Sequence, residues 1–93
     1  MTNLLQHLWL GGNEAQYHAS INVLFPDGNL PPGQTLHAAA LVDEGVIVTA
    51  IWDSKEEADA FVSEVLIPAL PIEGGLEGAP QERAGVAIHL QTT

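Results

Sequence analysis

The sequence predicts an α+β domain in which a four-stranded antiparallel sheet carries two helices, in the order β-α-β-β-α-β. Three observations predict it. Glycine and proline cut the chain into short segments: of nine Gly and six Pro, five lie between Pro26 and Gly33 and six between Pro68 and Pro80, so these stretches are the long loops. The segments between them carry strand and helix periodicities in turn. The middle two strand segments are separated only by Asp43-Glu44-Gly45, a connection that suits a hairpin.

Each element has its own justification. Leu4 to Leu10 is an apolar run bounded by glycine and too short for a stable helix, which makes it the first strand. Asn13 then stands where a helix cap is needed, and Tyr17, Ile21 and Leu24 recur behind it at helical spacing until Pro26 stops the helix. Gln34 to Val42 and Val46 to Asp53 form the hairpin. Ser54-x-x-Glu57 is a capping box, with Glu56 adding negative charge to the first turn. Ala58, Phe61, Val62, Val65, Leu66 and Ala69 mark the apolar face that follows, Pro68 kinks its last turn and Pro71 ends it. Gly85 to Gln91 alternates, with Val86, Ile88 and Leu90 on one side and Ala87, His89 and Gln91 on the other. This pattern predicts a half-buried fourth strand.

Ninety-three residues in this order make one domain, residues 1–93, of the split βαβ or ferredoxin-like type. Right-handed crossovers put both helices on one face and give a strand order of 4-1-3-2. The other face is left bare, and an aliphatic sheet face in water requires a partner. Two such sheets closing face to face give a homodimeric barrel.

Charge and composition narrow the function. Lys55 and Arg83 stand against twelve carboxylates, for a net charge of −10, which argues against nucleic acid, anionic membranes and polyphosphate cofactors. Without cysteine there is no disulfide, zinc ribbon or thiol nucleophile. No apolar run approaches the roughly eighteen residues of a membrane span, and the start lacks the basic segment of a secretory signal, so a cytoplasmic location is expected. Ser20, Ser54 and Ser63 lie in no Gly-x-Ser-x-Gly elbow, and neither Gly11-Gly12 nor Gly74-Gly75 leads into a phosphate loop.

Histidine is the informative residue. His7, His37 and His89 fall in strand segments, while His18 lies on the first helix, off its apolar row. His89 points away from the aliphatic side of its strand and therefore into the barrel. A hairpin register that pairs His37 with Trp52 places both on that lining beside Ala39 and Ala50; a one-residue slip separates them, and the turn leaves both registers open. Such histidines are either interior hydrogen bonders or an acid/base set, since imidazole titrates near neutrality. A three-histidine metal site is a further option, but no ordered ligand spacing or neighbouring strand carboxylate supports it, so no metal is expected. Trp52 reads as a pocket wall, Trp9 and Phe25 as core or rim, and Tyr17 as a packing residue.

A wider resemblance rests on His7, Gln16-Tyr17, Pro26-Asp27-Gly28, His37, the run from Val48 to Trp52-Asp53-Ser54, Pro68-Ala69-Leu70 and His89. With these the chain resembles the dimeric α/β-barrel superfamily that includes antibiotic-biosynthesis monooxygenase-like proteins. The resemblance implies a homodimer holding a small hydrophobic molecule, aromatic or polyketide-like, although the superfamily hosts several chemistries. Trp52 and Asn3 also match its haem-degrading members, but their ligating histidine has no counterpart between Ser54 and Leu70, so haem degradation is not expected. The expected activity is a cofactor-independent, monooxygenase-type oxidation. His37 or His89 removes a proton, another histidine, His7 included, steadies the oxyanion, and Trp52, Ala39 and Ala50 bind the ligand. Polyketide cyclisation or isomerisation, and ligand binding without catalysis, are the alternatives.

Overall fold

β2 (Gln34–Val42) and β3 (Gly45–Trp52) form the hairpin, and β1 (Asn3–Leu10) and β4 (Gln81–Val86) complete the sheet in the computed structural model, which describes residues 1–93. The spatial order β2-β3-β1-β4, antiparallel throughout, is the expected one read from the opposite edge. The hairpin turn is tighter than the sequence suggests, because Val42 pairs directly with Gly45. Gly45 takes φ +151°, and a Cβ there would lie 2.1 Å from the Trp9 carbonyl oxygen, so this crossing over the end of β1 admits only glycine.

α1 (Glu14–Leu24) opens on a reciprocal cap. Asn13 Oδ1 accepts the Gln16 N–H at 2.8 Å, and Gln16 Oε1 accepts the Asn13 N–H at 3.1 Å. α2 (Lys55–Phe61) begins at Ser54, whose Oγ accepts the Glu57 N–H at 3.2 Å. The helix then widens into a π turn over Val62–Leu66 and finishes as α3 (Ile67–Ala69). Pro68 has no N–H to donate to the carbonyl four residues back and its ring crowds it. The widened turn just before it, in which Ile67 N–H reaches Val62 O, accommodates that loss without a sharp bend. No helix is long and apolar enough to cross a membrane.

Burial identifies the covered face. Asn3, Leu5, His7 and Trp9 of β1 are buried, while Leu4, Gln6 and Leu8 between them are only half-buried. Cross-strand register places Val46, Val48, Ala50 and Trp52 on the same covered side. Leu5, Ala50, Trp52 and Ala58 form one part of the core and Trp9, Val46 and Leu76 the other.

The fourth strand departs from expectation. β4 spans Gln81–Val86 rather than Gly85 to Gln91, and its last rung is the Ala87 N–H to Thr2 O bond of 2.9 Å. It pairs antiparallel with β1, Val86 lying opposite Asn3 at the first residue of that strand. Beyond this point Ile88 and Leu90, which continue the alternation begun at Val86, have no strand beside them. Gln81, Glu82 and Arg83 instead form an exposed edge, where apolar alternation is not required.

The loop before β4 is fastened to α1. Buried Ser20 donates to Gln16 O at 3.0 Å and accepts the Leu76 N–H at 2.9 Å. Replacing Ser20 with Ala leaves a buried N–H unpaired, a loss of about 1–3 kcal/mol. Urea unfolding followed by tryptophan fluorescence should therefore show a lower midpoint for Ser20→Ala with an unchanged slope.

Candidate active site

The covered face of the sheet does not pack solidly against α1. A mainly apolar cavity of about 70 Å³ lies between them, walled by Leu5, Trp9, Ile21, Leu24, Phe25, Val48, Ala50, Trp52, Phe61, Leu66 and Leu76. Four polar side chains also line it: His7, Tyr17, Gln34 and His37.

Three of these form a hydrogen-bonded chain. His37 Nδ1 lies 3.1 Å from Gln34 Oε1, and His37 Nε2 lies 2.8 Å from the Tyr17 hydroxyl. An amide oxygen can only accept, so Nδ1 carries the imidazole proton and Nε2 offers its lone pair to the Tyr17 O–H. Tyr17 and His37 also stack, with ring centroids 6.2 Å apart, while Phe25 meets the imidazole edge-on at 5.3 Å. Burial lowers the pKa of His37 below its ordinary 6.5 and raises that of Tyr17 above its ordinary 10.0. Both shifts favour the neutral form.

Local backbone makes the chain possible. Gln34 lies opposite Trp52 and His37 opposite Ala50, but the register shifts between Gln34 and Leu36. Residues three apart on a regular strand point to opposite faces. The irregularity at Thr35 turns Gln34 and His37 to the same one.

His7 enters from β1. Its Nε2 lies 2.8 Å from Oε2 of Glu82, its cross-strand neighbour on β4, and its ring meets Trp9 edge-on. Trp52 is almost fully buried, and its indole Nε1 is the one buried side-chain nitrogen or oxygen without a hydrogen-bond partner. No group of three His, Asp or Glu side chains is placed to hold a metal ion.

The structure thus joins His7, His37, Ala50 and Trp52 and separates the other two. Ala39 shares their side of the sheet, but it is exposed and lines a second hollow, of about 180 Å³, with Glu14, Tyr17, His18, Ala40 and Leu41. His89 lies past the end of β4, exposed, with Nε2 3.2 Å from Gln91 Oε1. Its expected place on a barrel lining depended on a strand that ends before it. The face is also corrected: the polar set lies under the helices, not on the bare side, because the helices leave a hollow there instead of filling it. His18 is exposed and 3.3 Å from Glu14 Oε2, one helical turn earlier.

Sequence reading passed over Tyr17 and Gln34. The usable signal for Tyr17 was its place on the apolar row of α1, since a buried phenol needs a partner and His37 faces that row. Gln34 gave none, because nothing in Gln34-Thr35-Leu36 announces the irregularity.

The fold has a known counterpart. A crystal structure from Chloroflexus aurantiacus J-10-fl, described provisionally as an antibiotic biosynthesis monooxygenase, superposes with a TM-score of 0.68 over 99% of this chain and 98% of that one, at 18% identity. The two share a fold. No protein-family model matches the chain, and no curated protein sequence matches it.

His37 carries a pH signature. Its folded pKa lies below its unfolded one, so the unfolded chain takes up the proton first as pH falls. The His37 contribution to stability is present above about 6.5 and is lost as pH falls through that value towards the folded pKa. Unfolding midpoints measured from pH 7.5 to 5 should decline less steeply for His37→Gln than for the parent.

Proposed function

We propose that the protein is a small cofactor-independent enzyme that uses the Tyr17–His37–Gln34 chain as a base and oxidises a phenol or enol held in the cavity. The observation that carries this reading is the chain itself: an imidazole held neutral, with its basic nitrogen already on a phenol that faces an apolar hollow. The fold shared with a protein described as a monooxygenase supports the oxidative version over other uses of the same base.

The proton path follows from the hydrogen bonds. A substrate hydroxyl beside Tyr17 passes its proton to the phenol oxygen as the Tyr17 proton moves to His37 Nε2, and the imidazolium keeps its Nδ1–H on Gln34. The Tyr17 phenol, reprotonated by that transfer, donates to the oxyanion so formed, in a site where burial strengthens the bond. His7, oriented by Glu82, is the second polar group at the cavity wall. The electron-rich anion then reduces dioxygen by one electron, and recombination gives a carbon-bound peroxide. Its collapse leaves a quinone-type carbonyl and water, one oxygen atom going to each and the two displaced hydrogens leaving in the water.

Size restricts the substrate. A cavity of about 70 Å³ is smaller than the ~150 Å³ apolar cavity that takes up benzene. A single ring therefore fits with side chains at the mouth displaced, and a fused polycycle extends outside. The proposal includes a homodimer through the bare sheet face. A folded chain of 9.8 kDa exposes about 5,200 Å², whereas this one exposes 5959 Å², and the excess is about one side of a standard interface.

Two measurements test this. Sedimentation at micromolar concentration should give a dimer, burying about 1,500 Å² in total; a stable monomer would remove the dimer from the proposal. Hydroxylated aromatics and 1,3-dicarbonyls should be turned over with oxygen uptake, and Tyr17→Phe and His37→Gln should each slow turnover by about 10²–10⁴-fold with little change in melting temperature. Turnover without oxygen uptake would indicate a cyclase or isomerase. Binding without turnover would indicate a carrier.

A further inference from the structure

Two histidines line the cavity, and they differ in how their ring nitrogens are used. His37 has both engaged, Nδ1 with Gln34 and Nε2 with Tyr17. His7 has one engaged, its Nε2, 2.8 Å from Glu82 Oε2. A carboxylate only accepts, so Nε2 carries the proton and Nδ1 is left with the lone pair. That Nδ1 has no partner in the protein, yet it is not enclosed: Trp52 Nε1 is the one side-chain nitrogen or oxygen both buried and unpaired. The His7 side chain is only 10% exposed and borders the cavity, so its free lone pair is open to a guest there. A histidine kept for packing usually has its nitrogens matched.

We propose that His7 is a second catalytic base in this cavity, with Glu82 as its positioning residue, and that it takes the hydrogen from the carbon that dioxygen attacks. This rests on the oxidation proposed above and narrows its substrates to phenols and enols whose oxygenated carbon carries a hydrogen. Placement divides the work between the two histidines. In the order β2-β3-β1-β4, His37 and His7 stand two strands apart, about 10 Å between strand axes at the usual spacing. A ring lying between them offers its oxygen to Tyr17 and its far carbon to His7. Glu82 is the cross-strand neighbour of His7 on the outer strand, with half of its side chain in water. Its carboxylate fixes the tautomer and stabilises the imidazolium formed when Nδ1 takes a proton, as the carboxylate of a Ser-His-Asp triad does.

The step balances within the substrate and dioxygen. The peroxide first formed regains a proton from His37 through Tyr17 and becomes a carbon-bound hydroperoxide. His7 Nδ1 removes the proton on that carbon, the C–H electron pair becomes the second bond of the carbonyl, and the O–O bond breaks. The departing hydroxide takes the proton back from His7, which gives water and restores the resting base. Each dioxygen consumed yields one carbonyl, and no outside reductant is needed.

The test follows quinone formed against oxygen consumed by the full-length protein. The probe is 1-naphthol, whose carbon para to the hydroxyl carries one hydrogen and whose product there is 1,4-naphthoquinone; 1,3-dihydroxybenzene replaces it if it is inert. The parent should form quinone and consume oxygen in equal amounts. His7→Gln keeps a donor towards Glu82 but offers no basic nitrogen. Its ratio of quinone to oxygen should fall tenfold or more, with peroxide making up the difference, because a lost base costs about 10²–10⁴-fold in its step. Deuterium at the para carbon should lower that ratio further in the variant. Glu82→Gln, on the outer strand, keeps an acceptor for Nε2 and should fall between the two; it decides the matter alone if His7→Gln does not fold. A structural His7 predicts something else: oxygen uptake and quinone fall together and the ratio stays at the parental value. That result would overturn the second base and leave the proposed oxidation standing. A parent that itself releases mostly peroxide would overturn it too. No oxygen uptake with either probe or any other hydroxylated aromatic would overturn the oxidation, and the second base with it.

Discussion

One irregularity in β2 sets up the chemistry of this protein. Regular strand geometry alternates faces, so Gln34 and His37 would point to opposite sides of the sheet. The register shift between Gln34 and Leu36 puts both under the helices, Gln34 opposite Trp52 and His37 opposite Ala50. Only then can the Gln34 amide oxygen fix the imidazole proton on Nδ1 and leave Nε2 free to face Tyr17. A strand without the shift would keep the same fold and the same hairpin. It would lose the defined tautomer, and with it the direction in which a proton can move.

Burial adds to that effect through two opposite shifts with a single cause. Removing water disfavours an imidazolium and disfavours a phenolate, so His37 becomes easier to keep neutral and Tyr17 harder to ionise. In the resting state the shared proton therefore sits on Tyr17. In the proposed reaction an arriving acid changes that balance, because its anion is met by the reprotonated Tyr17 hydroxyl and the cation left on His37 by Gln34. The apolar wall keeps the resting pair neutral and intensifies each of those contacts when charge appears.

Much of this was legible in the sequence, and the failures have identifiable causes. Periodicity and turn residues are local signals, so the order of elements and the capping positions could be read, whereas the sharing of one face by His37, Ala50 and Trp52 hangs on a hairpin register that the turn leaves open. The limits of β4 could not, because an edge strand is defined by where its neighbour begins. Val86, Ile88 and Leu90 carry the stronger pattern, yet Gln81–Val86 is the stretch that meets β1. The face was misjudged for a related reason. A polar stripe on a strand normally marks the exposed side, and here it marks the covered one, because His7, His37 and Gln34 have partners beneath the helices.

That reversal bears on where selectivity resides. Polar side chains under the helices are matched among themselves: His7 with Glu82, His37 with Tyr17 and Gln34, Ser20 with Gln16 and Leu76. Trp52 Nε1 alone is buried and unmatched. An orphan donor in an apolar enclosure costs free energy for as long as it stays empty-handed, about 1–3 kcal/mol on the usual scale for a buried polar group. The nitrogen is enclosed by its neighbours, so the fold carries that cost and a guest in the cavity does not recover it. Selectivity in the proposed reaction therefore rests on the polar pair that does line the cavity and is placed to exchange a proton, Tyr17 and His37. The substrate oxygen that meets Tyr17 is the atom on which the proposed base leaves its negative charge.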